Sequence, residues 1–229
     1  MTANVAIVIP VGPGDYAWRG LLPQLASADS DEIILSMADG DAVFTDALTS
    51  NLRVIHSEAG RARQLNAGAH AARAQWLWFL HADSCVGVEA IQAMQAFVTN
   101  NEPAIGYFDL RFLGDGPRWM AINSFGAFLR SRLLGLPFGD QGLLMPRRVF
   151  ESLGGFDDAV GKGEDHALIW RARAQGVPLR ALGASIRTSA RKYAEHGWWR
   201  TTWQHLRMTR AQALRFSRLA HSQRAGDRQ

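Results

Sequence analysis

The stretch WLWFLHADS, residues 76–84, decides how the rest of the sequence is interpreted. Five large apolar residues end abruptly in a histidine, an alanine and an aspartate, and unpaired polar groups of this kind are costly to bury. A short apolar run bounded in this way is typical of a fully buried strand. In open α/β sheets, ligands bind beyond the carboxyl ends of the strands. The stretch therefore predicts a central strand that presents His81 and Asp83 to a cleft.

Short apolar strands and helical segments alternate around this stretch. Buried strands are predicted at 4–11, 31–36, 52–57 and 75–80, and a less buried one at 104–112. Helices are predicted at 18–26, 60–74 and 88–100. Pro23 is expected in a first turn or at a kink of the first of these helices. The alternation predicts an α/β fold with a mostly parallel central sheet flanked by helices.

The alternation is lost after residue 113. Helices are predicted at 117–135 and 163–176, and each ends in a glycine, which is common just past a helix terminus. Between them, 138–158 is predicted as a loop, a short strand and a short helix stopped by two glycines. The segment 178–189 is predicted as one or two strands, and the remainder as a basic helical tail.

Composition narrows the class of protein. The chain has 229 residues, of which 47% are hydrophobic and 20% charged, as in ordinary globular domains. No apolar run approaches the roughly 18 residues of a membrane-spanning helix, and the first residues do not have the pattern of a signal peptide. Cys85 is the only cysteine, which excludes an internal disulfide and a cysteine zinc cluster. A reducing, cytoplasmic location is expected.

The tail carries most of the positive charge. Residues 187–229 contain ten lysines and arginines against two acids, whereas residues 1–186 contain fifteen against nineteen. Basic helices that contain tryptophan favour anionic membrane surfaces, so peripheral contact with the cytoplasmic face of a membrane is one expectation. Packing of the tryptophans on the core, with the arginines in water, is the other. The acidic body argues against a nucleic-acid partner.

The residues alone leave two interpretations of Asp83. A carboxylate at the end of a buried strand needs a compensating partner, such as a cation, an arginine or backbone amides. A divalent metal that carries a phosphate is one such partner. Alternatively, Asp83 or Ser84 caps the helix that follows.

The stretch FLHADS resembles the divalent-metal motif of family 2 glycosyltransferases of the GT-A fold, in the Leu-His-Ala-Asp form of one bacterial subgroup. Three further stretches resemble this subgroup in the same order: GRARQLNAGAHAARA (60–74), GDQGLLMPRRVFESLGGFDD (139–158) and GEDHALIWRARAQG (163–176). The resemblance covers about residues 4–205, and the joint order of the motifs is more specific than any one of them. It implies a metal-dependent, inverting transfer of a sugar from a UDP- or GDP-linked donor to an unidentified hydroxyl acceptor.

The resemblance also implies roles for the catalytic residues. Asp83 would bind Mg²⁺ or Mn²⁺, and His81, in place of the first aspartate of the usual motif, would lie near the ribose or a water of the metal. Asp165, beside Glu164, would be the general base, and both are taken as catalytic. The Gly139–Gln141 segment would line the sugar and acceptor pocket, with Asp140 counted as catalytic and with Gly139 and Gln141 counted as substrate contacts.

Contacts with the nucleotide are expected from Pro10, Asp39, Arg61 and Gln64. Relatives carry Asn-Glu after the proline of the first strand, which this chain lacks, and an aspartate after the second strand that meets the base. Here Met37 stands near that place and Asp39 follows two residues later. The identity of the nucleobase is therefore open. In related enzymes the region of His196 can bring a histidine to the metal.

One domain is expected over 1–229, with a nucleotide-binding half (1–113), a catalytic and acceptor half (114–190) and the basic tail (191–229). Two other functions remain open at this point: a nucleotidyltransferase with a similar α/β domain, and an inactive module that binds a nucleotide-sugar or a surface. Rossmann dehydrogenases and P-loop kinases are excluded because their glycine fingerprints are absent.

Overall fold

The computed structural model describes residues 4–28, 30–40, 50–161, 163–191, 193, 197–200, 202, 203 and 207. The strands are β1 (Val5–Val11), β2 (Glu32–Ala38), β3 (Leu52–Ser57), β4 (Trp76–Phe79), β5 (Ser84–Val86), β6 (Ile105–Phe112), β7 (Leu144–Pro146) and β8 (Leu179–Thr188). The helices are α1 (Trp18–Leu25), α2 (Arg61–Ala71), α3 (Val88–Asn100), α4 (Met120–Leu133), α5 (Arg147–Ser152) and α6 (Glu164–Ala174), with a 3₁₀ turn at Gly139–Gln141.

The strands form one sheet in the order β3-β2-β1-β4-β7-β6-β8-β5. β1 pairs in parallel with β2 and β4, and β2 pairs in parallel with β3, whereas β7 runs antiparallel between β4 and β6. Parallel neighbours need crossover connections, and α1 and α2 supply them in the first half of the chain. The predicted α/β fold with a mostly parallel sheet is confirmed, and β4 has the central place expected of it.

The strands β1, β2 and β4 are buried on both faces of the sheet. Successive residues of a strand point to opposite sides, so Ile7 and Ile9 of β1 pack in the hydrophobic cluster that contains residues of α1 and α3. Ala6 and Val8 pack in the cluster that contains residues of α2, α5 and α6. Burial on both faces is why these strands are continuous apolar runs in the sequence.

Four local predictions differ from the structure. β3 was expected to be buried, but most of its residues are partly exposed because it is an edge strand, paired only with β2. β6 was expected to be less buried, but its first four residues are buried because the strand lies between β7 and β8. The three-residue strand β5, which pairs antiparallel with β8, was not predicted. Pro23 lies in the last turn of α1 rather than in its first turn.

The predicted tail helix, including His196, lies largely outside the described residues. Where residues beyond 190 are described, Tyr193 packs with Met120 and Ala190 in a small cluster that Trp198 also contacts. Trp199, in contrast, is 79% exposed. In the described part of the chain, no helix is long and apolar enough to cross a membrane.

Helix α2 packs closely on the sheet through Gly68. A Cβ atom at this position would collide with Cγ1 of Val8 in β1. We expect Gly68→Ala to lower the free energy of unfolding by about 1–3 kcal/mol, because an extra methyl group in a packed core forces neighbours to move. Urea denaturation monitored by circular dichroism measures this change.

Gly20→Ala in α1 is the matched control, because nothing lies within 4 Å of a Cβ atom there. This variant should be as stable as the parent or gain up to about 1 kcal/mol, since alanine is the better helix former. Equal losses of stability in the two variants would contradict the close approach of α2 to β1.

Candidate active site

A cavity of about 570 Å³ opens at the carboxyl ends of β1 and β4, beside the amino end of α2. Five of the predicted site residues line it, namely Pro10, Arg61, Gln64, His81 and Asp83. The other lining residues are Gly12, Pro13, Asp15, Ala17, Gly60, Ala82, Ser189 and Arg191. The cavity therefore lies at the strand edge where open α/β sheets bind ligands.

Asp83 keeps an open carboxylate in this cavity. The residue is half-buried and lies in the turn that follows β4. Within the part of the chain that the structure describes, its carboxylate has neither a hydrogen-bond donor nor an ion-pair partner. Helix α3 has Gly87 as its N-cap and no side-chain cap, and Ser84 begins β5 instead. The alternative in which Asp83 or Ser84 caps this helix is wrong.

Arg61, the first residue of α2, connects the cavity with β4 and α6. Its guanidinium contacts Nε2 of His81, and its Nε lies 2.7 Å from Oε1 of Glu164. The other oxygen of Glu164 accepts the N–H of Gly163 at 3.0 Å. Burial raises the pKa of Glu164, although the charge of Arg61 opposes that rise. The carboxylate of Glu164 thus faces Arg61 and holds that arginine in position.

Gly139 lies between two predicted site residues, His81, which follows β4, and Asp165 of α6. Its N–H donates to Oδ2 of Asp165 at 2.5 Å. A Cβ atom at residue 139 would lie 3.0 Å from that oxygen and 3.3 Å from Nε2 of His81. Such distances leave little room for a side chain, so glycine permits the close approach. His81, Gly139 and Asp165, which are far apart in the sequence, are therefore neighbours in the structure.

Asp165 combines burial with a charge-stabilising environment. Burial alone would raise the pKa of its carboxyl group, but the charges of His166 and Arg61 lower it. Hydrogen bonds from the backbone N–H groups of Gly139 and His166 act in the same direction, and the pKa lies below its ordinary value. The carboxylate is consequently ionised at neutral pH, which a group that accepts a proton requires.

The pKa of Asp140 is shifted in the opposite direction to that of Asp165. Burial raises the pKa of its carboxyl group from 3.8 to about 6, with Arg130 and Arg61 opposing the rise and Asp165 and Asp83 adding to it. Its Oδ1 is buried and accepts no hydrogen bond from the described residues. An unsatisfied buried oxygen of this kind is rare in folded proteins and marks a candidate for ligand contact.

A second arginine, Arg130 of α4, was not singled out from the sequence. Its guanidinium carbon lies 3.3 Å from the ring centre of Phe138, and it donates to Oε1 of Gln141 at 3.1 Å. Phe138 in turn stacks on His166, with ring centres 3.3 Å apart. Burial lowers the pKa of Arg130, while the charge of Asp140 acts to raise it. An arginine among the apolar residues of α4 is the signal that could have identified it.

Three residues predicted to contact the substrate either bond backbone groups of the protein or lie outside the cavity. Gln64 lines the cavity, but its Nε2 donates to the backbone carbonyls of Val11 in β1 and Ser36 in β2, at 2.5 and 2.9 Å. Gln141 is fully buried and donates to the carbonyl of Phe108 at 2.8 Å. Asp39 is the first residue after β2, which extends to Ala38, yet it is exposed and does not line the cavity. The structure thus gives both glutamines contacts that join elements of the fold.

Negative charge prevails at this end of the sheet. Among the described residues, four carboxylates and two arginines lie close enough there for the charges in the cluster to interact. The carboxylates are Asp83, Asp140, Glu164 and Asp165, and the arginines are Arg61 and Arg130. When all four acids are ionised, they outnumber these two arginines by two, and the charge of His166 beside Asp165 offsets part of this excess. Asp15 and Arg191, which carry opposite charges, also line the cavity.

The raised pKa of Asp140 means that its ionisation opposes folding. This penalty is absent below about pH 4, where the carboxyl group is protonated in both states, and it develops as the pH rises to about 6 and above. We expect Asp140→Asn to raise the free energy of unfolding at pH 7.5 by roughly 1–3 kcal/mol and to change it little at pH 4. Urea denaturation at the two pH values measures both quantities.

Asp39→Asn is the control for this experiment, because Asp39 is exposed. This substitution should leave the pH dependence of stability as it is in the parent. An Asp140→Asn variant with the same stability change at both pH values would show that Asp140 is not held ionised at a cost.

Comparison with solved structures supports the fold. S. aureus TarS 1–349 superposes with a TM-score of 0.62 at 16% identity, over 81% of this chain and 60% of that one. Its complex with UDP-GlcNAc gives 0.61 at 16% identity, over 81% and 58%. S. aureus TarS gives 0.59 at 15% identity, over 82% and 37%. The chain thus spans about 60% of the TarS 1–349 chain, and the expected GT-A fold is confirmed.

Comparison of the sequence itself supports the expected family. No curated protein matches the chain. The family model described as Glycosyl transferase family 2 matches residues 26–153, which is more than half of the chain. This match favours a glycosyltransferase over a nucleotidyltransferase, whereas the Leu-His-Ala-Asp subgroup stays a prediction. The chain belongs to glycosyl transferase family 2.

Proposed function

We propose that the protein transfers a sugar from a nucleotide-diphospho-sugar to an acceptor hydroxyl group, with inversion at the anomeric carbon. The observation that carries this proposal is the open carboxylate of Asp83 in a cavity that also contains the amino end of α2. The family supplies the reaction class. Because one S. aureus TarS structure is a complex with UDP-GlcNAc, a UDP-linked donor is the first candidate and a GDP-linked donor the second.

The amino end of α2 suits the diphosphate of such a donor. Gly60 is the N-cap of the helix, and no side chain caps the first backbone N–H groups. Uncapped N–H groups and the positive end of the helix dipole attract anions. Arg61 and Arg191 line the same cavity and add positive charge. A leaving nucleoside diphosphate bound there would have its developing negative charge stabilised.

The residues also fit a divalent cation, which we propose to be Mg²⁺ or Mn²⁺. Among the described residues, no group of three or more histidines, cysteines and acids is arranged to hold a metal ion. At phosphate sites, however, Mg²⁺ uses one or two carboxylates and takes its other ligands from waters and phosphates. Asp83 has the open carboxylate for this role, and Asp140 has a buried oxygen without a hydrogen bond. Such an ion neutralises negative charge on the leaving group.

Asp165 is proposed as the general base. Its carboxylate takes the proton of the acceptor hydroxyl group while that oxygen forms a bond to the anomeric carbon. The bond between this carbon and the diphosphate oxygen breaks, and the nucleoside diphosphate leaves with the electron pair. Gly139 fixes the carboxylate through its N–H, and His81 adjoins it. A base positioned in this way contributes about 10²- to 10⁴-fold in rate.

Two substitutions separate donor binding from transfer. Asp83→Asn should abolish the Mg²⁺- or Mn²⁺-dependent part of UDP or GDP affinity, because the open carboxylate is lost. Asp165→Asn should bind the nucleotide as the parent does but release nucleoside diphosphate from the sugar donor about 10²- to 10⁴-fold more slowly, with a panel of hydroxyl acceptors. Calorimetric titration with and without EDTA measures binding, and a nucleotide-release assay measures transfer.

Asp158→Asn is the control in both assays, because the Asp158 side chain is 61% exposed and lies outside the site. It should behave as the parent. If Asp83→Asn binds nucleotide with unaltered sensitivity to EDTA, the metal role of Asp83 is refuted. Near-normal release by Asp165→Asn would exclude it as the base, and binding without any release by the parent would indicate an inactive binding module.

A further inference from the structure

Helix α4 buries its small residues and exposes its large ones. Apart from Met120, its buried residues are Ala127 and Ser131. Large apolar side chains on and beside the helix are 40–74% exposed, and they are Trp119, Ile122, Phe125, Phe128, Leu133 and Leu134. A surface helix of a globular protein normally shows the reverse arrangement. A run of exposed apolar side chains of this kind marks an interaction surface.

Residues 198–200, 202 and 203 extend this surface. Nε1 of Trp198 donates to Oδ1 of Asn123 at 2.8 Å, and Nδ2 of Asn123 donates to Oγ1 of Thr202 at 3.2 Å. The segment is thereby held against α4, yet Trp199 and Trp203 are 79% and 63% exposed. We call the exposed apolar side chains of α4, together with Trp199 and Trp203, the aromatic face.

Positive charge accompanies the aromatic face. Arg118 directly precedes Trp119 and Arg200 directly follows Trp199, and both arginines are exposed. Neither forms an ion pair with an acid among the described residues. The other two arginines of the segment 117–135 do not add to this charge, because Arg132 pairs with Asp109 at 3.0 Å and Arg130 bonds Gln141. The surroundings of the face thus complement an anionic partner.

We propose that the aromatic face docks on the surface of an anionic lipid bilayer. Tryptophan side chains prefer the headgroup region, where an apolar ring meets a wet and polar boundary. Phenylalanine and isoleucine beside them supply apolar area for shallow insertion, and the arginines attract anionic headgroups. Docking of a second copy of the chain is disfavoured, because it would bring the unpaired arginines of two such faces together.

Docking would also orient the active site. On its inner side, α4 carries Arg130, which bonds Gln141 next to Asp140. The helix that contacts lipid would therefore be the one whose Arg130 bonds the turn that contains Asp140. Docking requires only the exposed residues and does not depend on the proposed sugar transfer.

Co-sedimentation of the full chain with vesicles tests the proposal. The parent should bind phosphatidylcholine vesicles that contain phosphatidylglycerol, bind vesicles of phosphatidylcholine alone much more weakly, and lose binding as salt is raised. The triple variant Ile122→Gln, Phe125→Gln, Trp199→Gln should lose about a hundredfold in partition coefficient, because three exposed apolar side chains no longer insert. Arg118→Gln with Arg200→Gln should lose roughly tenfold, on the anionic vesicles only.

Val88→Gln is the matched control, since Val88 is an exposed apolar residue of α3 (61%) and does not belong to the aromatic face, and it should bind as the parent does. Equal thermal midpoints of all variants show that the fold is kept. Failure of the parent to bind anionic vesicles, or equal binding by the triple variant, would overturn the proposal. Self-association in light scattering that the triple variant abolishes would also overturn it, and would assign the face to a second copy of the chain.

Discussion

Unbalanced negative charge at the carboxyl end of β4 is the constraint on which the site depends. Buried carboxylates are costly unless cations or N–H groups oppose them. Arg61 approaches from α2 and Arg130 from α4, and each is held by further contacts, with Glu164 in one case and with Phe138 in the other. The remaining excess of negative charge would repel a diphosphate, which is itself an anion. The divalent cation that we propose would remove this conflict, so we expect donor binding to depend on it.

The fold brings these groups together by ordinary means. The parallel arrangement of β1 and β4 places their carboxyl ends side by side, and the crossover through α2 returns a helix amino end to the same edge. Gly139 lets two side chains of distant segments meet in a space that no larger residue would leave. Asp140 destabilises the fold locally when it is ionised, because burial disfavours its charged form and raises its pKa. Sites of this kind commonly trade stability for function.

Much of the fold could be predicted from periodicity, because strands buried on both faces and helices with glycine ends leave clear patterns. The three-residue strand β5 could not, since so short a segment has no period. At the site, the apolar run followed by His81 and Asp83 correctly predicted the edge of the sheet at which the cavity lies. The hydrogen bond between Arg130 and Gln141 could not be predicted from the sequence, because it joins segments that only the folded chain brings together. Asp39 is the opposite case, a predicted contact that the structure does not show. The sequence placed it after β2, but it does not line the cavity.

A crystal of the protein grown with UDP or GDP and Mn²⁺, measured at the manganese absorption edge, tests the central claim most directly. The account predicts an anomalous peak in bonding contact with both the Asp83 carboxylate and the diphosphate, inside the cavity beside Arg61. A nucleotide seated in that cavity without a manganese peak, or with the peak away from Asp83, would contradict it.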